Sequence, residues 1–171
     1  MALHQTLSTM AVEAVDEYIK AARLSLDFRK QDDGCLGYPS TLLLFCVVNA
    51  LGSYLKGAEV AIDGRRQKIT SGEPFRVLNH ECFGLTLKSE EIKKLEKSYR
   101  NRLAHNAVID FGSFLLPNGD GPAFVFESDL VGINVFSFHR LVTEAWSNFP
   151  RQCIEDWANN LAAERLRGKS V

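Results

Sequence analysis

The first thirty residues carry their charges in a helical rhythm. Glu13, Asp16, Glu17, Lys20, Arg23, Asp27 and Lys30 recur at spacings of three and four, which makes one solvated stripe. Leu7, Met10, Ala14, Ala22 and Leu26 fall on other faces and are expected in the core. Asp33-Gly34 and Gly37 break the pattern, and Pro39 with Ser40 can open a second helix. That helix should run to about Lys56, with Gly57 as its C-cap. It is apolar on nearly all sides, so it is expected to be the most buried element.

Asp63 to Gly72 is polar and contains Arg65, Arg66 and Lys68, which reads as a solvated loop in preference to an RNA contact. Glu73 to Phe83 suits a short helix ending near Gly84. Ser89 then has the chemistry of an N-cap, and Glu90 and Glu91 complement the helix dipole. The third long helix is predicted from Glu90 to about His105, with Ile92, Leu95, Tyr99 and Leu103 on its core face.

The rhythm changes after Asn106. Residues 108–116 and 123–127 read as two short strands, joined by the turn-rich Pro-Asn-Gly-Asp-Gly-Pro of 117–122. Asn134 is a candidate N-cap for a helix to about Asn148, and a last helix follows from about Phe149 to Arg167. Trp146 and Trp157 are expected to anchor these helices in the core. The predicted fold is all-α, a single domain over residues 1–171. It is an antiparallel bundle of four to five helices, with a small β-hairpin insertion at about 108–127 before the C-terminal helices.

A chain of 171 residues can bury a substantial core as one domain. Its net charge of −1 excludes a surface that holds nucleic acid by bulk electrostatics, so phosphate binding needs a local patch. Such a patch exists on the third helix. Lys88, Lys93, Lys94, Lys97, Arg100 and Arg102 outnumber Glu90, Glu91 and Glu96. Cys35, Cys46, Cys82 and Cys153 are scattered without a C-x-x-C pair, as in a reduced intracellular protein. The N-terminus lacks the basic and apolar regions of a secretion signal. The most apolar run, Thr41 to Leu55, is shorter than the roughly 20 residues a membrane span needs. A cytoplasmic location, away from any membrane, is the expectation.

The chain contains no Walker loop, dinucleotide glycine fingerprint, H-E-x-x-H or G-x-S-x-G. His80-Glu81-Cys82 has no second ligand pair and reads as a helix end, so no metal site is predicted. His139, among Phe136, Phe138 and Leu141, reads as a packed or surface histidine, and His4 lies near a terminus. Attention falls on Ser98-Tyr-Arg-Asn-Arg-Leu-Ala-His-Asn106. Cations in a last helical turn suit the dipole without any ligand. At about 100° per residue, Asn101 and His105 share a face, whereas Arg100 lies about 140° around from His105. Two copies of the helix across a two-fold axis could bring both arginines and both histidines into one cleft. Such a cleft would hold cationic donors for a phosphate and an imidazole that moves protons near neutral pH.

Arg100-Asn101-Arg-Leu-Ala-His105, with four residues between the arginine and the histidine, lies late on the third helix and resembles the motif of HEPN domains (higher eukaryotes and prokaryotes nucleotide-binding). The resemblance extends to Tyr99 before the motif and Asn106-Ala107-Val108 after it. It implies a metal-independent endoribonuclease that needs no cofactor and acts as a homodimer with the active site at the interface. His105 would serve as general base or acid, Arg100 would hold the scissile phosphate, and Asn101 would orient His105 or the phosphate through hydrogen bonds. Lys97, Tyr99 and Arg102 would contact the RNA. The resemblance also implies a toxin–antitoxin or phage-defence setting, with an antitoxin or other partner protein. In one branch of the family a modified tyrosine stands two residues after the histidine. Here that residue is Ala107, so regulation by that route is not expected. The competing expectations are a non-catalytic HEPN module that dimerises or binds a nucleotide or protein partner, and an unrelated bundle whose Arg100 and His105 only end a helix.

Overall fold

The computed structural model describes residues 6–31, 34–106, 108–116, 119–127 and 130–168. The expectations attached to His4 and Ala107 lie outside these residues. The helices are α1 (Leu7–Asp27), α2 (Gly37–Tyr54), α3 (Ser89–Leu95), α4 (Arg102–Asn106), α5 (Val135–Ser147) and α6 (Gln152–Gly168). A π-helical turn, Glu96–Asn101, joins α3 to α4, and Pro74–Asn79 forms a 3-10 helix. The strands are β1 (Glu59–Ile62), β2 (Arg65–Lys68), β3 (Ser113–Leu116), β4 (Phe124–Glu127) and β5 (Leu130–Asn134).

Two sheets overturn the all-α expectation. β1 and β2 form an antiparallel hairpin where a polar loop was expected. Its turn is Asp63-Gly64, both at positive φ (51° and 73°), the backbone that a two-residue hairpin of matching twist requires. Only β1 alternates, with Val60 and Ile62 buried, while Arg65, Arg66 and Lys68 of β2 are exposed. A strand without an apolar face leaves no periodicity to read.

The second correction concerns pairing. β3 and β4 do not form the predicted hairpin over 108–127. Both pair with β5 between them, β3 in parallel and β4 antiparallel. β5 is buried from Val131 to Asn134, so it shows no alternation. Its Gly132 lies opposite Phe114, whose ring occupies the space a Cβ would need, 2.5 Å away. The central strand therefore carries a gap in sequence that an aromatic from its neighbour fills.

The helical expectations fare better. α2 is the central element, with Leu44, Phe45, Val47, Val48 and Leu51 fully buried. Phe45 stacks on Phe75 and meets Phe138 at a tilt, with ring centres 5.4 and 4.9 Å away. Asn134 caps α5 by accepting from the Ser137 N–H. Trp146 is buried and donates to the Asp16 carboxylate at 2.6 Å, whereas Trp157 is half-buried against Tyr54. α1 is turned relative to the expectation. Ala11, Val15, Ile19, Ala22 and Leu26 face the core, but Met10 and Ala14 face outward. Tyr18, Leu24 and Phe28 are also exposed, so the apolar arc of α1 is wider than the face its neighbours cover.

Among the described residues no helix is long and apolar enough to cross a membrane. α2 instead packs so closely on the 3-10 helix that a Cβ at Gly52 would lie 2.1 Å from the Pro74 carbonyl oxygen. Backbone cannot retreat cheaply from such an overlap. Gly52→Ala is therefore expected to cost about 3 kcal/mol, the upper end for overpacking, seen as a lower urea midpoint at unchanged slope.

Candidate functional site

The motif helix begins where two loops hold it. Lys88 occupies the N-cap, one residue before the expected Ser89, and its N–H donates to the Glu91 carboxylate at 2.7 Å. The Ser89 N–H faces the Asp63 carboxylate of the β1–β2 turn at 3.4 Å. Asn79 fixes the loop between them, donating to the Ala61 and Leu87 carbonyls and accepting from the Leu87 N–H. Ile92, Leu95, Tyr99 and Leu103 all face the core as the spacing predicts.

The π turn falls on the motif itself. Its outer ladder is completed by other chain segments, since the Ser98 carbonyl accepts from the Asp110 N–H at 3.1 Å. Tyr99 points inward and is fully buried. Its hydroxyl accepts from the Phe114 N–H and faces the carbonyls of Phe114 and Val131 as a donor. Burial is the main reason its phenol is pushed up to about 12. This corrects one expectation: Tyr99 has no free face and its hydroxyl is engaged, so it is not an RNA contact.

Arg100 and Asn101 are brought together, with Arg100 Nη1 donating to Asn101 Oδ1 at 2.7 Å. Arg100 is half-buried, and its charge acts on two half-buried titratable groups. Burial raises the Glu96 carboxyl above its ordinary range, Arg100 pulls it back, and Glu73 adds to the rise. Burial likewise raises the Cys46 thiol of α2 against the pull of Arg100. His105 is not brought to this group. It is exposed on the last turn of α4 and has no hydrogen-bond partner among the described residues. The π turn ends at Asn101, so nearly all the steps from Arg100 to His105 are α-helical and the two stay on different faces.

Lys97 and Arg102 are exposed, as RNA contacts must be. Lys97 lies within the π turn, and Arg102 follows it at the start of α4. Arg102 reaches the Asp110 carboxylate at 3.7 Å. Two residues near the motif were absent from the sequence-based set. Glu96 is one turn before Arg100, and the signal for it was only its i, i+4 spacing. Phe111 follows Asp110 and precedes Gly112, and Asp-Phe-Gly is legible as a turn.

The remaining candidates are structural. His139 Nε2 donates to the Ile19 carbonyl at 3.2 Å, and burial lowers its pKa. His80 Nδ1 lies 3.3 Å from the Cys82 sulfur, and burial chiefly pushes that thiol up to about 11. Among the described residues no three His, Cys, Asp or Glu side chains are grouped to hold a metal ion. Comparison with protein families, curated proteins and solved structures finds no match to this chain.

Tyr99 supplies a test of this region's frame. Tyr99→Phe strands the Phe114 N–H and is expected to cost about 1–3 kcal/mol at pH 7. Because folding raises its pKa, Tyr99 contributes stability that is complete below pH 10 and lost as pH climbs toward 12. Denaturation midpoints of Tyr99→Phe should therefore decline less than wild type across that window.

His139 has the opposite sign. Its folded pKa is lowered, so stability falls as pH drops through and below 6.5, and His139→Gln should flatten the fall.

Proposed function

We propose that this chain is a metal-independent endoribonuclease of the HEPN type, acting as a homodimer within a toxin–antitoxin or phage-defence system. The observation that carries the reading is Arg100-Asn101…His105 on a helix interrupted by a π turn at the motif, with His105 open to solvent. π turns in long helices occur frequently at functional sites. In the proposed reaction, one His105 takes the proton of a ribose 2′-hydroxyl. The 2′-oxygen then attacks the adjoining phosphorus, and the bond from phosphorus to the 5′-oxygen breaks. The His105 of the second copy protonates the leaving oxygen, giving a 2′,3′-cyclic phosphate and a 5′-hydroxyl. Arg100 neutralises the charge that grows on the phosphate, and Asn101 holds Arg100 in place.

One observation favours a second reading, a non-catalytic module for dimerisation or for nucleotide or partner binding. Arg100 is already hydrogen-bonded to Asn101, and its charge acts on the half-buried Glu96, as a structural arginine's would. Incubation of purified protein with single-stranded RNA in EDTA separates the two. The nuclease reading expects cleavage to cyclic-phosphate ends, reduced about 10²–10⁴-fold by His105→Ala and about 10²–10³-fold by Arg100→Ala. No cleavage by wild type, or equal cleavage by both variants, overturns it. A dimer that cleaves nothing but dissociates on Arg100→Ala supports the module.

A further inference from the structure

Phe111 is the most exposed large apolar side chain in the described structure, at 104% of its reference exposure. It is nevertheless held by a rigid backbone. Asp110, Phe111, Gly112 and Ser113 form a turn closed by the Ser113 N–H on the Asp110 carbonyl at 3.1 Å. Gly112 takes φ 81°, the left-handed position that such a turn reserves for glycine. The turn is anchored on both sides. The Asp110 N–H bonds the Ser98 carbonyl of the π turn, and the Val131 N–H of β5 bonds the Gly112 carbonyl, both at 3.1 Å. The Asp110 carboxylate accepts from the Phe111 N–H at 3.0 Å and reaches Arg102 at 3.7 Å. An aromatic ring is thus presented to solvent from a hydrogen-bonded turn that is tied to the motif helix at Ser98 and Arg102.

An exposed ring combined with cations is how proteins grip single strands, with bases stacked on the ring and phosphates on the charges. We propose that Phe111 is a stacking platform for one nucleobase of single-stranded RNA, with the exposed Arg102 and Lys97 of the motif helix holding the neighbouring phosphates. The proposal rests on the nuclease reading and names how that site grips its substrate. The exposed cations Arg102 and Lys97 of the motif helix suit a polyanion with flat apolar bases better than the apolar face of a second copy.

The test is binding, measured in the full chain carrying His105→Ala, to a labelled oligoadenylate of about 12 nucleotides and to an abasic strand of equal charge. Phe111 contributes nothing to the core, so its variants keep the fold. Phe111→Ala should weaken oligoadenylate binding about 5- to 150-fold, Phe111→Leu should be as weak, and Phe111→Trp should bind as the parent does. Abasic-strand binding should be indifferent to Phe111. Lys97→Ala and Arg102→Ala should each reduce the salt slope by about 0.7. Unchanged binding by Phe111→Ala, or full rescue by Phe111→Leu, overturns the platform. So does a Phe111→Ala protein that turns monomeric in light scattering, because the ring then serves a second copy. Phe111-dependent binding by a protein that cleaves nothing in EDTA refutes the nuclease and keeps the platform. Cleavage with Phe111-independent binding does the reverse. A parent protein that binds no RNA refutes both.

Discussion

The buried hydroxyl of Tyr99 is where the helical layer and the three-stranded sheet become one structure. A phenol taken wholly out of water must find partners, and the partners here are backbone groups of two strands, at Phe114 and Val131. These positions lie at the start of the parallel β3–β5 ladder, where Ser113 pairs with Val131 and Phe114 with Gly132. The ring of the same residue packs toward Phe45, the aromatic centre of α2. One side chain thus ties the central helix, the motif helix and two strands. The backbone adds a second tie one residue earlier, from Asp110 N–H to the Ser98 carbonyl.

The π turn follows from these attachments, and it reorganises the outer surface of the helix. Carbonyls released from the α-helical ladder become available to other segments, as Ser98 is to Asp110. Lys97 and Arg102 meet solvent, whereas Arg100 is half-buried and its charge acts on Glu96 and Cys46. The geometry that sets the sheet on the bundle therefore also sets which cations meet solvent and which do not.

Helical elements were legible because burial on one face leaves a period of 3.6 residues, as at Ile92, Leu95, Tyr99 and Leu103. Strands were legible only as local runs. β2 is polar on both faces, and β5 is buried throughout with Gly132 at its centre, so neither alternates. Asp63-Gly64 carried a hairpin signal, but the Arg-Arg-Gln-Lys after it concealed the strand. The turn-rich 117–122 looked like a hairpin loop because turn chemistry does not reveal its strands' partners. At the candidate site, the residue types and the divergence of Arg100 from His105 could be read. The π turn could not, since no residue type dictates it and tertiary contacts to β3 and β5 select it. That is why Tyr99 was assigned both to the core and to RNA, and only burial decides between them.

The divergence of Arg100 and His105 bears on any chemistry they share. A group that moves a proton and a group that holds the reacting phosphate must both come within about 3 Å of the same few atoms. In this chain Arg100 gives a donor to Asn101 and its charge to Glu96, while His105 stands exposed on another face. Swinging Arg100 outward would leave Glu96 half-buried without its counter-charge, an arrangement that favours protonation of the carboxyl over ionisation. In the proposed dimer the second copy supplies its own His105 to a phosphate at the first copy's Arg100, so the two side chains of one chain need not converge. On this ground the proposed activity and the proposed dimer stand or fall together.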